Sequence, residues 1–246
     1  MSTFQKAEAG QFYAVGVGPG SPDLLTYRAA KIIETADVVI APRSRMATES
    51  LALKTVKAVL QQNQEIIDHV YAMKRDTAQC HSNWSEIARI AAERCREGKS
   101  VVQITIGDPL VYSTSYYLIA ELRKLIPDNK ISVIPGISAF QAIAAKFGDA
   151  LTIQEDRMTL MPATCLDHVE KAIKSCETLV LYKAGKRIPE LIALFERYHI
   201  IDSAKAVFYA EQPGREFIAD DLRQVVSQQP GYMATVIVHI DRRTWH

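Results

Sequence analysis

Phe12-Tyr13-Ala14-Val15-Gly16-Val17-Gly18-Pro19-Gly20-Ser21-Pro22-Asp23 is the stretch from which the rest of the chain is read. The apolar run from Phe12 to Val17 predicts a buried strand, and the glycines that follow predict a tight loop at its end. Its nearest generic pattern is the dinucleotide fingerprint G-x-G-x-x-G, in which glycines let the backbone approach a pyrophosphate at a helix N-terminus. The match fails. Ser21 stands at the last glycine position, Pro19 stiffens the loop, and helical spacing begins only near Thr26. Asp37 opens the second strand, whereas the ribose-binding acid of that fingerprint sits near the strand's end. The bland alternative, a glycine turn with no ligand, stays open here.

Outward from this loop, apolar spacing predicts a helix over 26–34 and a strand from Asp37 to Ile40, closed by Pro42. A helix over 84–96 is followed by Gly98 at the C-cap position, then by a strand over 101–106 that ends in Gly107-Asp108-Pro109. A return helix over 115–125 precedes a strand over 131–134, which runs into Pro135-Gly136, and Ser138 is placed to cap a helix over 139–146. The alternation predicts an α/β unit with a mostly parallel sheet. Each special loop follows the C-terminal end of a strand, the edge at which such sheets bind ligands. Beyond Gly148 come four strand candidates, 158–163, 178–183, 205–210 and 233–240, with modest helices between them. The expected fold class is therefore α/β with two α/β domains, residues 1–148 and 149–246.

Composition narrows the function. Among 246 residues, 48% are hydrophobic and 23% charged, an ordinary globular balance. The formal net charge of +1 supplies no broad basic field, which argues against a nucleic-acid partner. Apolar runs fall well short of the roughly 20 residues that span a bilayer. Residues 1–11 lack a basic end followed by an apolar core, so the expectation is no secretory signal, no membrane and a cytoplasmic location. The cysteines, Cys80, Cys95, Cys165 and Cys176, form no C-x-x-C pair. They are expected to be reduced and structural, and no metal is expected, with His69 and His81 read as loop residues near Cys80.

The run from Val15 to Thr26, with Ala29-Ala30 and Ala36-Asp37-Val38-Val39, closely resembles the opening of the tetrapyrrole methylase family, the class III methyltransferases. The likeness continues in order through Gly98, Gly107-Asp108-Pro109 and Ile134-Pro135-Gly136-Ile137-Ser138. Within the family, Tyr112-Ser113-Thr114, Tyr116-Tyr117, Ile134 to Phe140 and Met161-Pro162-Ala163 resemble the branch that methylates C20 of precorrin-2 or of cobalt-factor II. Lys183 departs from the pattern, since many relatives carry methionine there.

The resemblance implies two α/β domains with S-adenosyl-L-methionine in the cleft between them, touched mainly by backbone. Pro19, Gly107, Asp108, Pro109, Val111, Ser113, Thr114, Ser138 and Ala139 are the matching cofactor positions in the first part of the chain. Ala163, Tyr182, Lys183, Ala210 and Glu211 are those in the second. A valine at Gly107 is expected to block close backbone approach. Transfer of a methyl from a sulfonium to carbon needs positioning first and a base only afterwards. Tyr117, Asp108 and Glu211 are the polar candidates for that base. The implied substrate carries many carboxylates, which planar guanidinium groups suit, so Arg43 and Arg45 are expected to bind it along with Tyr117. Any cobalt belongs to the substrate, and relatives imply a homodimer. Two other readings remain at this stage: a family member acting on another tetrapyrrole carbon, diphthamide or ribosomal RNA, and a nucleotide-binding module without catalysis.

Overall fold

The computed structural model describes residues 5–44, 48–71, 77–225 and 233–241. Contacts divide the chain into two units, Met1–Ser138 and Ala139–His246.

The first unit is built on β1 (Phe12–Gly16), β2 (Val38–Ser44), β3 (Glu65–Tyr71), β4 (Val101–Thr105) and β5 (Ile131–Ile134). These pair in the order β3-β2-β4-β1-β5, every pairing parallel. Helices α1 (Tyr27–Thr35), α2 (Leu51–Val56), α3 (Thr77–Arg96) and α4 (Ser115–Leu122) connect the strands. All five residues of β1 and all five of β4 are buried, because helices cover both faces of a parallel sheet. Alternate residues serve opposite faces. Phe12, Ala14, Val38, Ile40 and Val101 pack with Ile87 and Ala91 of α3 and Leu118 and Leu122 of α4. Tyr13, Val15, Val39, Val102 and Ile104 pack with Ile32 and Ile33 of α1 and Ala52 and Val56 of α2. The Thr26 hydroxyl starts α1 by accepting from Ala29 N at 3.1 Å. Gly98, at φ +82°, ends α3, with its amide on Cys95 O and the Lys99 amide on Arg94 O.

Three features depart from the sequence reading. Pro42 does not close β2, which runs on to Ser44. Val38 N donates toward the β4 side, to Ser100 O, so by alternation the nitrogen of Pro42 faces that side too. Pairing with β4 has stopped at Ile40, so the missing N–H removes no ladder bond. The edge strand β3 was not foreseen, because its Glu65, Asp68 and His69 break the apolar pattern on a strand paired on one side only. Nor was α2, a short helix capped by Ser50.

The second unit contains α5 (Ala139–Phe147), β6 (Met158–Pro162), α6 (Leu166–Ile173), β7 (Thr178–Tyr182), α7 (Ile188–Arg197), β8 (Ala204–Phe208), β9 (Phe217–Ala219) and β10 (Ala234–His239). Its sheet has the order β6-β7-β10-β8-β9, with only the β6–β7 pairing parallel. Val169 and Ile173 of α6 and Leu191 and Phe195 of α7 cover one face. Ile143 and Ala144 of α5 pack on the other against Val180, Val207 and Ile237. That packing places α5 in the second unit, so the division falls at Ser138/Ala139 and not after Gly148. Among the described residues no helix is long and apolar enough to cross a membrane.

Candidate active site

In the first unit β1 and β4 lie side by side, yet the chain leaves β1 toward β2 and leaves β4 toward β5. The connecting helices take opposite faces, which opens the sheet's C-terminal edge between these strands. The loops after β1, β4 and β5 are joined at this edge through main chain. Val17 N donates to Thr105 O at 2.9 Å, and Gly107 N donates to Gly18 O at 2.7 Å.

The glycines divide into two kinds. A Cβ on Gly136 would lie 2.2 Å from Gly107 O, and one on Gly16 would lie 2.5 Å from the same oxygen. Close approach therefore demands glycine at positions 16 and 136. At Gly107 a Cβ would meet nothing within 4 Å; glycine is needed there for its φ of +73°. No neighbouring main chain crowds the α-carbon of Gly107 as it does those of Gly16 and Gly136. Its backbone faces open space, which is what a small ligand drawn against main chain would require.

Around this knot, Pro19 and Pro109 are buried, Asp108 and Val111 half-buried, and Thr114 exposed. Asp108 accepts from Leu110 N at 2.8 Å and from Gly136 N at 3.1 Å. The Ser113 hydroxyl lies 3.2 Å from Thr105 Oγ1, donates to Ser115 Oγ at 3.1 Å and accepts from Ser115 N at 3.1 Å. Ser138 is buried at the position before α5, and Ala139 is the first residue of that helix. Tyr117, in the first turn of α4, is 56% exposed and rests against Trp84, with ring centroids 5.8 Å apart. Leu110, Tyr112 and Tyr116 are exposed beside it in sequence, with Tyr112 at φ +50°.

Arg43 lies within β2, not in a loop after it, and its Nε donates to Asp68 Oδ2 on β3 at 2.6 Å. Arg45 lies outside the described residues. Asp37 occupies the opposite edge of the sheet. Its carboxylate accepts from Ser100 N at 2.8 Å and from the Ser100 hydroxyl at 2.7 Å. It is therefore a strand-end lock and no ribose ligand, in line with the failed dinucleotide pattern.

In the second unit β6, β7 and β8 run the same way, and their C-terminal ends carry the remaining expected positions. Ala163 is fully buried and its amide donates to Tyr182 O at 2.8 Å. Lys183, Tyr209 and Glu211 adopt φ of 59°, 50° and 60°. Left-handed backbone is uncommon in residues other than glycine, and three cases at one edge mark a constrained rim. Bonds from Tyr209 N to Met233 O and from Ala184 N to Ala234 O hold it. The Tyr182 hydroxyl accepts from Phe140 N in α5 at 3.3 Å, and Ala210 is buried. The Glu211 carboxylate pairs with Lys146 Nζ at 2.6 Å, and Glu216 lies 3.2 Å from the same ammonium. Burial works against the charge on Lys146, but these two carboxylates outweigh it and raise its pKa.

Three contributions were not foreseen. The contact between Gly16 and Gly136 joins positions 120 apart and only folding reveals it. The pairing of Lys146 with Glu211 is likewise nonlocal. Arg215 stacks over Tyr209 with 4.0 Å from guanidinium carbon to ring centroid; the nearby Gln-Pro-Gly turn was its one sequence signal. Among the described residues no group of three or more His, Cys, Asp or Glu could hold a metal ion. Cys95 and Cys176 are buried, and burial pushes the Cys95 thiol up to about 11; Cys165 is exposed and so has no core role.

Similarity to known proteins agrees with this layout. The chain is 30% identical over 232 residues to the cobalt-precorrin-2 C(20)-methyltransferase of Salmonella typhimurium, covering 94% of this chain and 96% of that protein. It is 29% identical to the uroporphyrinogen-III C-methyltransferase of Cyanidium caldarium, over 74% and 71% of the two chains. A siroheme synthase of Pseudomonas putida is 27% identical, and there the chain spans 50% of the relative. Among solved structures, a cobalt precorrin-4 methyltransferase superposes with a TM-score of 0.73 at 21% identity, over 94% and 95% of the chains. A Thermus thermophilus uroporphyrin-III C-methyltransferase complexed with S-adenosyl homocysteine gives 0.63 at 22%, over 93% and 97%. At such identities these two structures speak for the fold. The family profile of tetrapyrrole (corrin/porphyrin) methylases matches residues 11–224, and the chain belongs to that family.

Proposed function

We propose that this chain uses S-adenosyl-L-methionine to methylate C20 of precorrin-2 or cobalt-factor II on the way to a corrin ring. The observation that carries the reading is the 30% identity to a C20-methyltransferase over 94% of this chain and 96% of that protein. The S-adenosyl homocysteine complex of a structural relative supports the cofactor. So does the open space on the Cβ side of Gly107, where a sulfonium amino acid could lie against main chain without meeting a side chain.

The cofactor supplies an electrophilic methyl group when bound. By the family resemblance, Pro19 and the loop from Gly107 to Thr114, with Ser138 and Ala139, would hold its amino-acid part. Ala163, Tyr182, Lys183, Ala210 and Glu211 would hold its nucleoside. The acceleration comes mainly from orientation, which in model reactions is worth effective molarities of order 10⁵ M or more. Tyr117 presents an exposed ring and hydroxyl to the macrocycle, and it is our choice for the group that takes the proton after transfer. Glu211 has its carboxylate on Lys146 and serves better as a rim support. Arg43 offers a guanidinium already shared with Asp68, so a substrate carboxylate would compete with that pairing. The family resemblance also carries a homodimer, which light scattering tests.

Incubation under reducing conditions with ¹³C-methyl-labelled cofactor and either substrate should give one added methyl by mass spectrometry. Carbon NMR should place it on the meso carbon C20. A label on a pyrrole-ring carbon, or brisk turnover of uroporphyrinogen with neither substrate methylated, overturns the C20 reading and leaves the family standing.

A further inference from the structure

We propose that Asp108 and Ser113 are positioning residues that build the loop after β4 and act on ligand binding through the shape of that loop, not by touching the ligand. The proposal rests on the cofactor reading above for its binding tests, though not for its structural one. Asp108 is the first side chain beyond Gly107. Its Oδ1 closes a local turn on Leu110 N at 2.8 Å, while its Oδ2 reaches 28 residues along the chain to Gly136 N at 3.1 Å. Both carboxylate oxygens therefore accept from backbone amides, and each bond is strengthened by the carboxylate charge. The second bond fixes Gly136 at the place where its α-carbon lies against Gly107 O and Gly16. The strand pairings of β1 with β4 and β5 bring the two loops together, and this bond ties the loop after β4 directly to Gly136.

Ser113 does the same at the other end of the loop. Its hydroxyl bridges Thr105, the last residue of β4, and Ser115, the first residue of α4, and it also accepts the Ser115 amide. Ser115 is 1% and Thr105 8% exposed, with Ser113 half-buried between them, and a buried hydroxyl left without its partner is costly. Strand end, loop and helix start are thereby tied into one frame. Between the two anchors the loop's backbone is held in place before any ligand arrives, and that lowers the cost of binding.

Asp108→Asn keeps shape and one acceptor oxygen but sets an NH₂ against one of the two amides. Native-state amide exchange on the whole protein should speed up at Leu110 or Gly136 in this variant, and unchanged protection at both overturns the latch. Calorimetric titration with S-adenosylhomocysteine should show the dissociation constant raised about tenfold, the effect of losing one charge-assisted bond. In turnover, KM for the cofactor should rise with it while the pH profile stays where it was. A base role for Asp108 would instead lower kcat by about 10²-fold or more with cofactor affinity intact, and that result also overturns the proposal. Ser113→Ala should weaken S-adenosylhomocysteine about fivefold and deprotect the Ser115 amide, with Ser113→Thr restoring both. Equal affinity in the alanine and threonine variants overturns the Ser113 part. If the wild-type protein binds no S-adenosylhomocysteine, the cofactor reading falls, and the exchange data alone still decide the latch.

Discussion

Gly16 and Gly136 face each other beside the carbonyl of Gly107, and neither leaves room for a methyl group. Gly136→Ala drives a Cβ to within 2.2 Å of a backbone oxygen, which no side-chain rotation relieves. Such overpacking against main chain should cost about 3 kcal/mol, read as a lowered urea midpoint at unchanged slope. Gly107→Ala meets open space and pays only for left-handed backbone, about 1–2 kcal/mol. The two variants should also differ in ligand binding. Gly107→Val meets no crowding but carries a larger left-handed backbone cost than alanine, and in the folded fraction its side chain stands where the ligand approaches, so titration with S-adenosylhomocysteine should show no heat. Full affinity in folded Gly107→Val would place the pocket elsewhere.

Strand ends carry the next level of control. Where β2 and β4 begin, Asp37 and Ser100 exchange hydrogen bonds: the Asp37 amide donates to the Ser100 hydroxyl, and the Asp37 carboxylate accepts in return. This lock lies at the edge opposite the glycine loops. Asp37→Ala should therefore destabilise by about 2 kcal/mol and leave S-adenosylhomocysteine affinity within about twofold. A large loss of affinity in a stably folded variant would contradict the assignment of edges. On β3, burial holds the His69 imidazole below its ordinary 6.5, with Glu86 and Asp68 pulling the other way. A histidine with a depressed folded pKa takes up a proton more readily when unfolded. Its contribution is thus present above pH 6.5 and is lost as pH falls through the folded value. Stability measured between pH 7 and 5 should decline, and His69→Gln should flatten that decline; an identical slope in the variant would exclude His69 as its source.

The molecule as a whole presents two sheets of different character, each with a constrained rim at the C-terminal ends of its parallel strands. The first is wholly parallel and offers glycine loops; the second is mostly antiparallel and offers left-handed residues, Lys183, Tyr209 and Glu211. Neither rim gathers metal ligands among the described residues, and net charge is near zero. Binding of S-adenosylhomocysteine should accordingly be one per chain and unaffected by a chelator. A dissociation constant that rises on treatment with EDTA would require a site that the described residues lack. Arg215, stacked on Tyr209, is our candidate for a contact to a substrate carboxylate, and Arg215→Ala should raise the substrate KM about fivefold at unchanged cofactor affinity. A KM within experimental error of the wild type would make the stack merely structural.

The sequence by itself determined what depends on local pattern and on motif order. Apolar runs closed by Gly16, Gly107 and Gly136 marked β1, β4 and β5, and helical spacing with Gly98 marked the end of α3. The ordered motifs from Val15 to Ser138 carried the family. Tertiary structure alone decided what depends on neighbours distant in the chain. An edge strand such as β3 needs no apolar alternation, so its pattern was invisible, and Pro42 reads as a strand breaker until the lapse of pairing beyond Ile40 makes its missing N–H harmless. Helix α5 follows the first sheet in sequence but buries Ile143 and Ala144 against the second. Asp108 reads as a reactive acid in isolation. Only the fold brings the amide of Gly136 to its carboxylate, because parallel strands set loops far apart in sequence side by side at one edge.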